Sequence, residues 1–273
     1  MRNAAVIIFF IPFILSCEKK IDWSLQSNPA EQLVVDGIIT NEYMPYMVKL
    51  SKSVSNINQV PQTVSGATVS IFDGSATYIL KESVAGSGIY VTDTSLIGVI
   101  SSNYLLKIVY HNKLDTAVAN MIGVSSLDTL QYALNPGNGL YYVSYVAPTY
   151  LKDESDMYKI MIDWSEVTGY PNLSPSSGKV ELDYYSLSTI DINELYAPAG
   201  AVTYFPKGAK IVEKKYSLTP RYASFIRSML SQTQWNGGNF DVITSNVASN
   251  ISNGASGFFA VCQVIKSDTI IVK

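Results

Sequence analysis

The chain has 273 residues, of which 47% are apolar and only 15% charged, with 19 Tyr, 9 Phe and 3 Trp; this core-forming composition excludes a disordered polypeptide. Its 19 basic and 22 acidic residues leave a net charge of −3 without a basic run, which argues against a nucleic-acid partner. A single histidine and two cysteines offer little from which to build a histidine metal site, a cysteine cluster or a Ser-His-Asp triad, so neither metal nor cofactor is expected.

At the N-terminus Arg2 and Asn3 precede an apolar run from Ala4 to Leu15, and Ser16 and Cys17 follow at once. A charged, then apolar, then small-residue leader reads as a signal peptide over residues 1–16. The run is shorter than the roughly 20 apolar residues of a spanning helix, and Glu18, Lys19, Lys20 and Asp22 come directly after it. Ile14-Leu15-Ser16-Cys17 resembles the bacterial lipobox, which makes Cys17 the expected lipidation site and residues 17–29 a polar tether. Several acyl chains at about 0.8 kcal/mol per buried methylene would hold the protein on a membrane almost permanently. Cys262 then remains as the other thiol, alternating with Phe258 and Ala260, and is expected to be buried and inert.

From Gln32 onward, segments rich in Val, Ile, Tyr and Thr alternate with turn signals. Strands are expected at 33–40, 46–53, 68–72, 77–81, 88–93, 104–110 and 116–120, with hairpin signals at Asp73-Gly74 and at 111–113. These make an N-terminal β-sandwich over residues 30–124, with His111 in a solvated turn. A boundary is expected near 122–127. Further strands at 127–133, 141–147, 157–163, 178–186 and 210–217, and two closing ones at 257–265 and 268–272, assign residues 125–273 to a second β-rich domain. One segment breaks the pattern: Thr219 as N-cap and Pro220 precede Tyr222, Phe225, Ile226, Met229 and Leu230 at spacings of three and four. This predicts an amphipathic helix near 220–235, packed through Phe225, Ile226 and Met229. The expected fold is mainly β: two immunoglobulin-like or transthyretin-like antiparallel sandwiches, the second carrying that helix.

Motifs for nucleophilic, nucleotide or zinc chemistry are missing, so no catalytic residue is assigned. Acids cluster at Asp153, Glu154 and Asp156 and at Asp191 and Glu194; solvated loop charge is the expectation, with a calcium site or a glycosidase-like carboxylate pair as alternatives. Tyrosines crowd the second unit, and tyrosine supplies rigid amphipathic area for recognising sugars, peptides or proteins. Tyr141, Tyr142, Tyr184 and Tyr185 are therefore candidate binding residues, each adjacent pair placing one ring on either face of a strand. Asp115-Thr116-Ala117, Asp128-Thr129-Leu130 and Asp268-Thr269-Ile270 resemble the short O-glycosylation acceptor of Bacteroidetes envelope proteins, which marks Thr116, Thr129 and Thr269 as candidate modification sites.

The segment Leu33-Val34-Val35-Asp36-Gly37-Ile38-Ile39-Thr40, the run Val64-Ser65-Gly66-Ala67-Thr68-Val69, and the C-terminal series Asn236-Gly237-Gly238-Asn239-Phe240-Asp241, Asn250-Ile251-Ser252-Asn253-Gly254 and Gly257-Phe258-Phe259 together resemble a Bacteroidetes-type lipoprotein family known as domain of unknown function four-two-four-nine. The resemblance covers nearly all of the mature chain. It implies an outer-membrane lipoprotein, often encoded beside TonB-dependent transporters, with no catalytic residues to carry over. Asn236, Asn239 and Asn253 are read first as turn residues that tolerate positive φ, and secondarily as ligand contacts. The expected function is a non-enzymatic binding or accessory lipoprotein cooperating with a TonB-dependent transporter; an envelope hydrolase using loop carboxylates, or a structural or adhesive surface module, are the alternatives. Glu18 is followed by Lys19 and Lys20 rather than by further acids, which leaves both the periplasmic face and the cell surface open.

Overall fold

A computed structural model describes residues 31–55, 58–93, 95–147, 154–170, 172–187, 195–196, 202–233 and 247–273. The leader, Cys17 and the tether lie outside the described residues, as do Asp153, Asp191, Glu194, Asn236 and Asn239. The protein is mainly β, with one helix.

The first part of the chain forms β1 (Leu33–Thr40), β2 (Met47–Lys52), β3 (Thr68–Phe72), β4 (Thr77–Glu82), β5 (Ile89–Val91), β6 (Asn103–Tyr110) and β7 (Lys113–Asn120). Alternation is regular enough to sort each strand: Val69 and Ile71 of β3 and Tyr104, Leu106 and Ile108 of β6 point into one core. The β6–β7 hairpin turns on His111 and Asn112, both at left-handed φ (47° and 60°), the geometry that two-residue hairpins require. The rest comprises the hairpin β8 (Gln131–Asn135) and β9 (Leu140–Tyr145), then β10 (Ser155–Asp163), β11 (Lys179–Ser186), β12 (Leu195–Tyr196), β13 (Lys210–Leu218), α1 (Pro220–Thr233), β14 (Ser256–Cys262), β15 (Val264–Lys266) and β16 (Ile270–Ile271).

The first sheet has eight strands in the order β14-β1-β2-β5-β4-β3-β6-β7. The unit expected to end near residue 124 thus gains a strand from the far end of the chain. β14 runs parallel to β1, with Val34 opposite Ser256 and Thr40 opposite Cys262. A parallel partner is buried on both sides and reads as continuous apolar sequence, and Phe258-Phe259-Ala260-Val261-Cys262 is buried throughout. Residues 250–252 fill the gap between the two end strands: the Ser252 amide donates to the Thr116 carbonyl at 2.8 Å, and the Asn250 side chain donates to Val118 and Phe259 carbonyls while accepting from the Phe259 amide. The sheet is thereby nearly closed.

β14 serves two cores. Phe259 and Val261 enter the interior of the first sheet, whereas Phe258, Ala260 and Cys262 face α1. Cys262 is an interior thiol, and burial pushes it up to about 12. At Gln263 the chain crosses into the second sheet: the Gln263 amide donates to Ser217 Oγ, its side-chain oxygen accepts from the Val124 amide at 2.7 Å, and Asn41 Oδ1 accepts from the Val264 amide. That sheet runs β12-β11-β10-β13-β15, with β16 also on β13. One face packs Tyr158, Ile160, Ile162 and Ile211 beneath the β8–β9 hairpin and the segment from Ile122 to Leu130; the other packs Met157 and Tyr216 against α1. Residues Glu31–Lys273 form one compact unit, which contains the three cores of the described residues.

The helix lies where the spacing predicts, and the Tyr222 amide donates to Thr219 Oγ1. Its buried stripe is Tyr222, Ala223, Ile226 and Leu230, with Phe225 half-buried on Phe258 at 5.0 Å between ring centroids. Met229, expected in the contact, is 36% exposed; Phe258 draws the Tyr222 side of the helix inward and rotates Met229 outward.

Two outcomes test this packing. Gly257 has φ 90°, and a Cβ there would sit 1.9 Å from the Val35 carbonyl oxygen, so Gly257→Ala should destabilise by about 3 kcal/mol or more in chemical denaturation. Ile226→Ala should cost about 2–5 kcal/mol, whereas Met229→Ala should cost less than about 1 kcal/mol; equal losses would place the stripe elsewhere.

Candidate functional site: a tyrosine surface and a buried charge cluster

The β8–β9 hairpin carries Tyr141 and Tyr142, two of the four tyrosines expected in a binding surface. Antiparallel pairing sets Leu134 opposite Tyr141 and Ala133 opposite Tyr142, so neighbouring tyrosines diverge. Tyr141 turns toward the core, edge-on to Tyr132 at 5.9 Å, and its hydroxyl donates to the Lys273 carbonyl at 2.8 Å. Tyr142 meets Tyr204 edge-on at 6.1 Å, and the Tyr204 hydroxyl accepts from Asn135 Nδ2 at 3.1 Å. Asn135 is itself held by the Gly137 amide. Elsewhere on this part of the chain Leu134, on the Tyr141 face, and Tyr145 and Val202 are exposed. Two tyrosine rings with an anchored amide on one of their hydroxyls suit a ligand that has both apolar faces and hydroxyls or peptide groups.

The other candidates do not join this surface. Tyr184 and Tyr185 fall on opposite faces of β11, Tyr184 beside the core under the hairpin and Tyr185 toward α1, and burial raises both hydroxyls above their ordinary range. Asn253 lies in the first sheet's closing segment at φ 56°, donating to the Leu114 carbonyl, which fits its reading as a turn residue. Thr129 and Thr269 are exposed on irregular segments. Thr116 sits in β7 beside the buried Asp115 and Ala117, bonded to Ser252. Two shallow grooves of about 290 and 260 Å³, beside Met44 and Met47 and beside Thr219 and Asn250, fall below the usual ligand-pocket range of about 300–1,000 Å³.

A second constellation was not foreseen. Asp156, expected as solvated loop charge, is in β10 and fully buried, with Oδ2 at 3.2 Å from Lys215 Nζ of β13. The Lys215 ammonium also donates to Ser125 Oγ and toward the Ser126 carbonyl, and stands 5.7 Å over the Tyr158 ring. Glu154, also expected in solvent, accepts from the Ser125 amide at 2.8 Å. Glu213 faces the same interior. Burial pushes its carboxyl up to about 7, although the Leu130 backbone and Lys215 favour the ionised form and Asp128 opposes it. Burial also raises the Tyr158 hydroxyl, with Asp156 and Glu213 adding to the effect. The signal was the two-residue period, which puts Asp156 in line with Tyr158, Ile160 and Ile162, and Glu213 and Lys215 in line with Ile211. With its charges turned inward, the cluster can clasp residues 125–130 to the second sheet. Among the described residues no three His, Cys, Asp or Glu side chains gather in a way that could hold a metal ion.

The Glu213 carboxyl binds its proton more tightly folded than unfolded, where its ordinary value is 4.5. Stability should therefore decline as pH rises from about 4.5 through 7, by on the order of 3 kcal/mol, and be lowest above that window. Glu213→Gln should flatten this dependence and raise the unfolding midpoint at pH 8; an unchanged pH profile would place the titration elsewhere.

No curated protein matches the chain. A family model described as "Domain of unknown function (DUF4249)" matches residues 18–268, from just after Cys17 to beyond the strand that closes the first sheet, and the chain belongs to that family.

Proposed function

We propose that this is a lipid-anchored outer-membrane protein that binds its ligand without transforming it and cooperates with a TonB-dependent transporter in nutrient capture or uptake. The observation that carries the reading is the edge-on pair of Tyr142 and Tyr204, with the anchored Asn135 amide bonded to Tyr204, at the β8–β9 hairpin. The leader and Cys17 support the anchor, and the resemblance to envelope lipoproteins supports the transporter. The alternative, hydrolysis through loop carboxylates such as Asp153 or Asp191, falls on residues outside those the structure describes.

Mass spectrometry of the mature N-terminus should find an acylated Cys17, and Cys17→Ala should release the protein from the membrane fraction; an unmodified terminus would end the anchor reading. Affinity purification of the tagged protein from gently solubilised outer membranes should bring a transporter barrel with it. Recovery without a barrel, together with turnover of an envelope polymer, would favour the hydrolase.

A further inference from the structure

Lys215 and Asp156 stand apart from the other ion pairs among the described residues. Their side chains are 3% and 0% exposed, with Nζ 3.2 Å from Oδ2, whereas every other paired lysine reaches solvent. The sheet register brings the two together. Antiparallel pairing sets Tyr158 opposite Lys215 and Asp156 opposite Ser217, which makes Asp156 and Lys215 diagonal neighbours on the face beneath the β8–β9 hairpin. Ser125 Oγ and the Ser126 carbonyl hold the lysine head from the other side, over the Tyr158 ring.

Two charges at this depth are costly, and a proton passed from the lysine to the aspartate removes both. An amine then stands against a carboxylic acid, with the carboxyl carbon one bond from an oxygen that the nitrogen already contacts. Groups held in such proximity react as if at effective concentrations of about 10⁵ M or more. We propose that Lys215 and Asp156 condense into an amide, a covalent cross-link between β13 and β10 made by the folded chain itself.

In this step the Nζ lone pair attacks Cγ, the N–C bond forms, and one C–O bond of the acid breaks. The departing hydroxyl takes one proton from the amine and leaves as water, so no oxidant, reductant or second substrate enters. Glu213 is placed to carry that proton. It is 1% exposed, two residues from Lys215 on the same face of β13, and near enough to Lys215 and Tyr158 for their charges to interact. Burial pushes its carboxyl up to about 7, where it can both give and accept a proton. The other ionisable groups around the site are Tyr158, Asp128 and Glu154, the last of which accepts from the Ser125 amide. Leu130, Ile160, Phe205 and Ile211 pack on this face and exclude the water that the reverse reaction would consume.

Tryptic mapping of the full-length protein, denatured and reduced, tests the cross-link. Trypsin does not cut after an acylated lysine, so residues 153–159 should be joined to 215–221 in a branched peptide one water lighter than its two arms. Lys215→Arg, which keeps the charge but does not form the amide, should return residues 153–159 as a free peptide, as should Asp156→Ala. In Glu213→Gln the branched peptide should accumulate at least about tenfold more slowly in freshly synthesised chain; an unchanged rate would overturn the proton-carrying role of Glu213. Free peptides 153–159 and 216–221 from the parent, without the branched product, would overturn the proposal and leave an ordinary buried ion pair. A branched peptide whose fragments place the link on Glu154 would overturn it as well. The parent protein alone decides between these outcomes, whether or not the variants fold.

Discussion

Strand β14 is needed by two cores at once, and most of the architecture follows from that demand. Its odd-numbered side chains fill the interior of the first sheet and its even-numbered ones form the floor on which α1 sits. A residue with apolar contacts on both sides of a backbone cannot rotate outward without emptying one of them, so the strand's register is fixed from two directions. Gly257 provides the close approach to Val35 that parallel pairing needs, and Gln263, bonded to Ser217 and Val124, turns the same strand into the second sheet. Sheet, helix and second sheet are thus held by one short stretch of chain.

Charge is handled in two contrasting ways on the two faces of the second sheet. On the face away from the hairpin, Lys159 interacts with Glu181 and Asp183, and Lys214 with Glu42, partly open to solvent; such pairs contribute little to stability and much to solubility. On the other face Asp156 and Lys215 are withdrawn from water altogether. An isolated buried charge is expensive, and a buried pair is tolerable when further hydrogen bonds surround it, as Ser125 and Ser126 do for Lys215. The pair therefore gives the segment between the sheets one preferred seat, where a purely apolar surface would accept several.

Much of this was legible in the sequence. The first-sheet strands and the helix start lie within a few residues of their expected places, because two-residue alternation and the Thr219-Pro220 start are local signals. What escaped was non-local. Residues 257–265 read as one strand of a second domain, since nothing nearby reveals that Val35 is the partner of Gly257 or that the chain changes sheets at Gln263. Asp156 reads as part of an acidic loop cluster with Asp153 and Glu154, although its two-residue spacing from Tyr158 and Ile160 places it among core positions. The tyrosine pairs diverge as adjacency requires; that Tyr204 would come to Tyr142 depends on the Tyr141–Phe205 bridge, which no local pattern announces.

The parallel pairing also sets a clock. Gln32 bonds Ser256, 224 residues later, so the first strand waits for its second neighbour until nearly all of the chain has been synthesised. Contacts this distant close slowly, because loop entropy must be overcome before any contact rewards it. Until then the apolar edge of β1 stays open and the early strands make an incomplete, weakly held sheet. Such a polypeptide stays loosely held for as long as β14 has not joined β1, and the two cores that β14 serves close together in one late step.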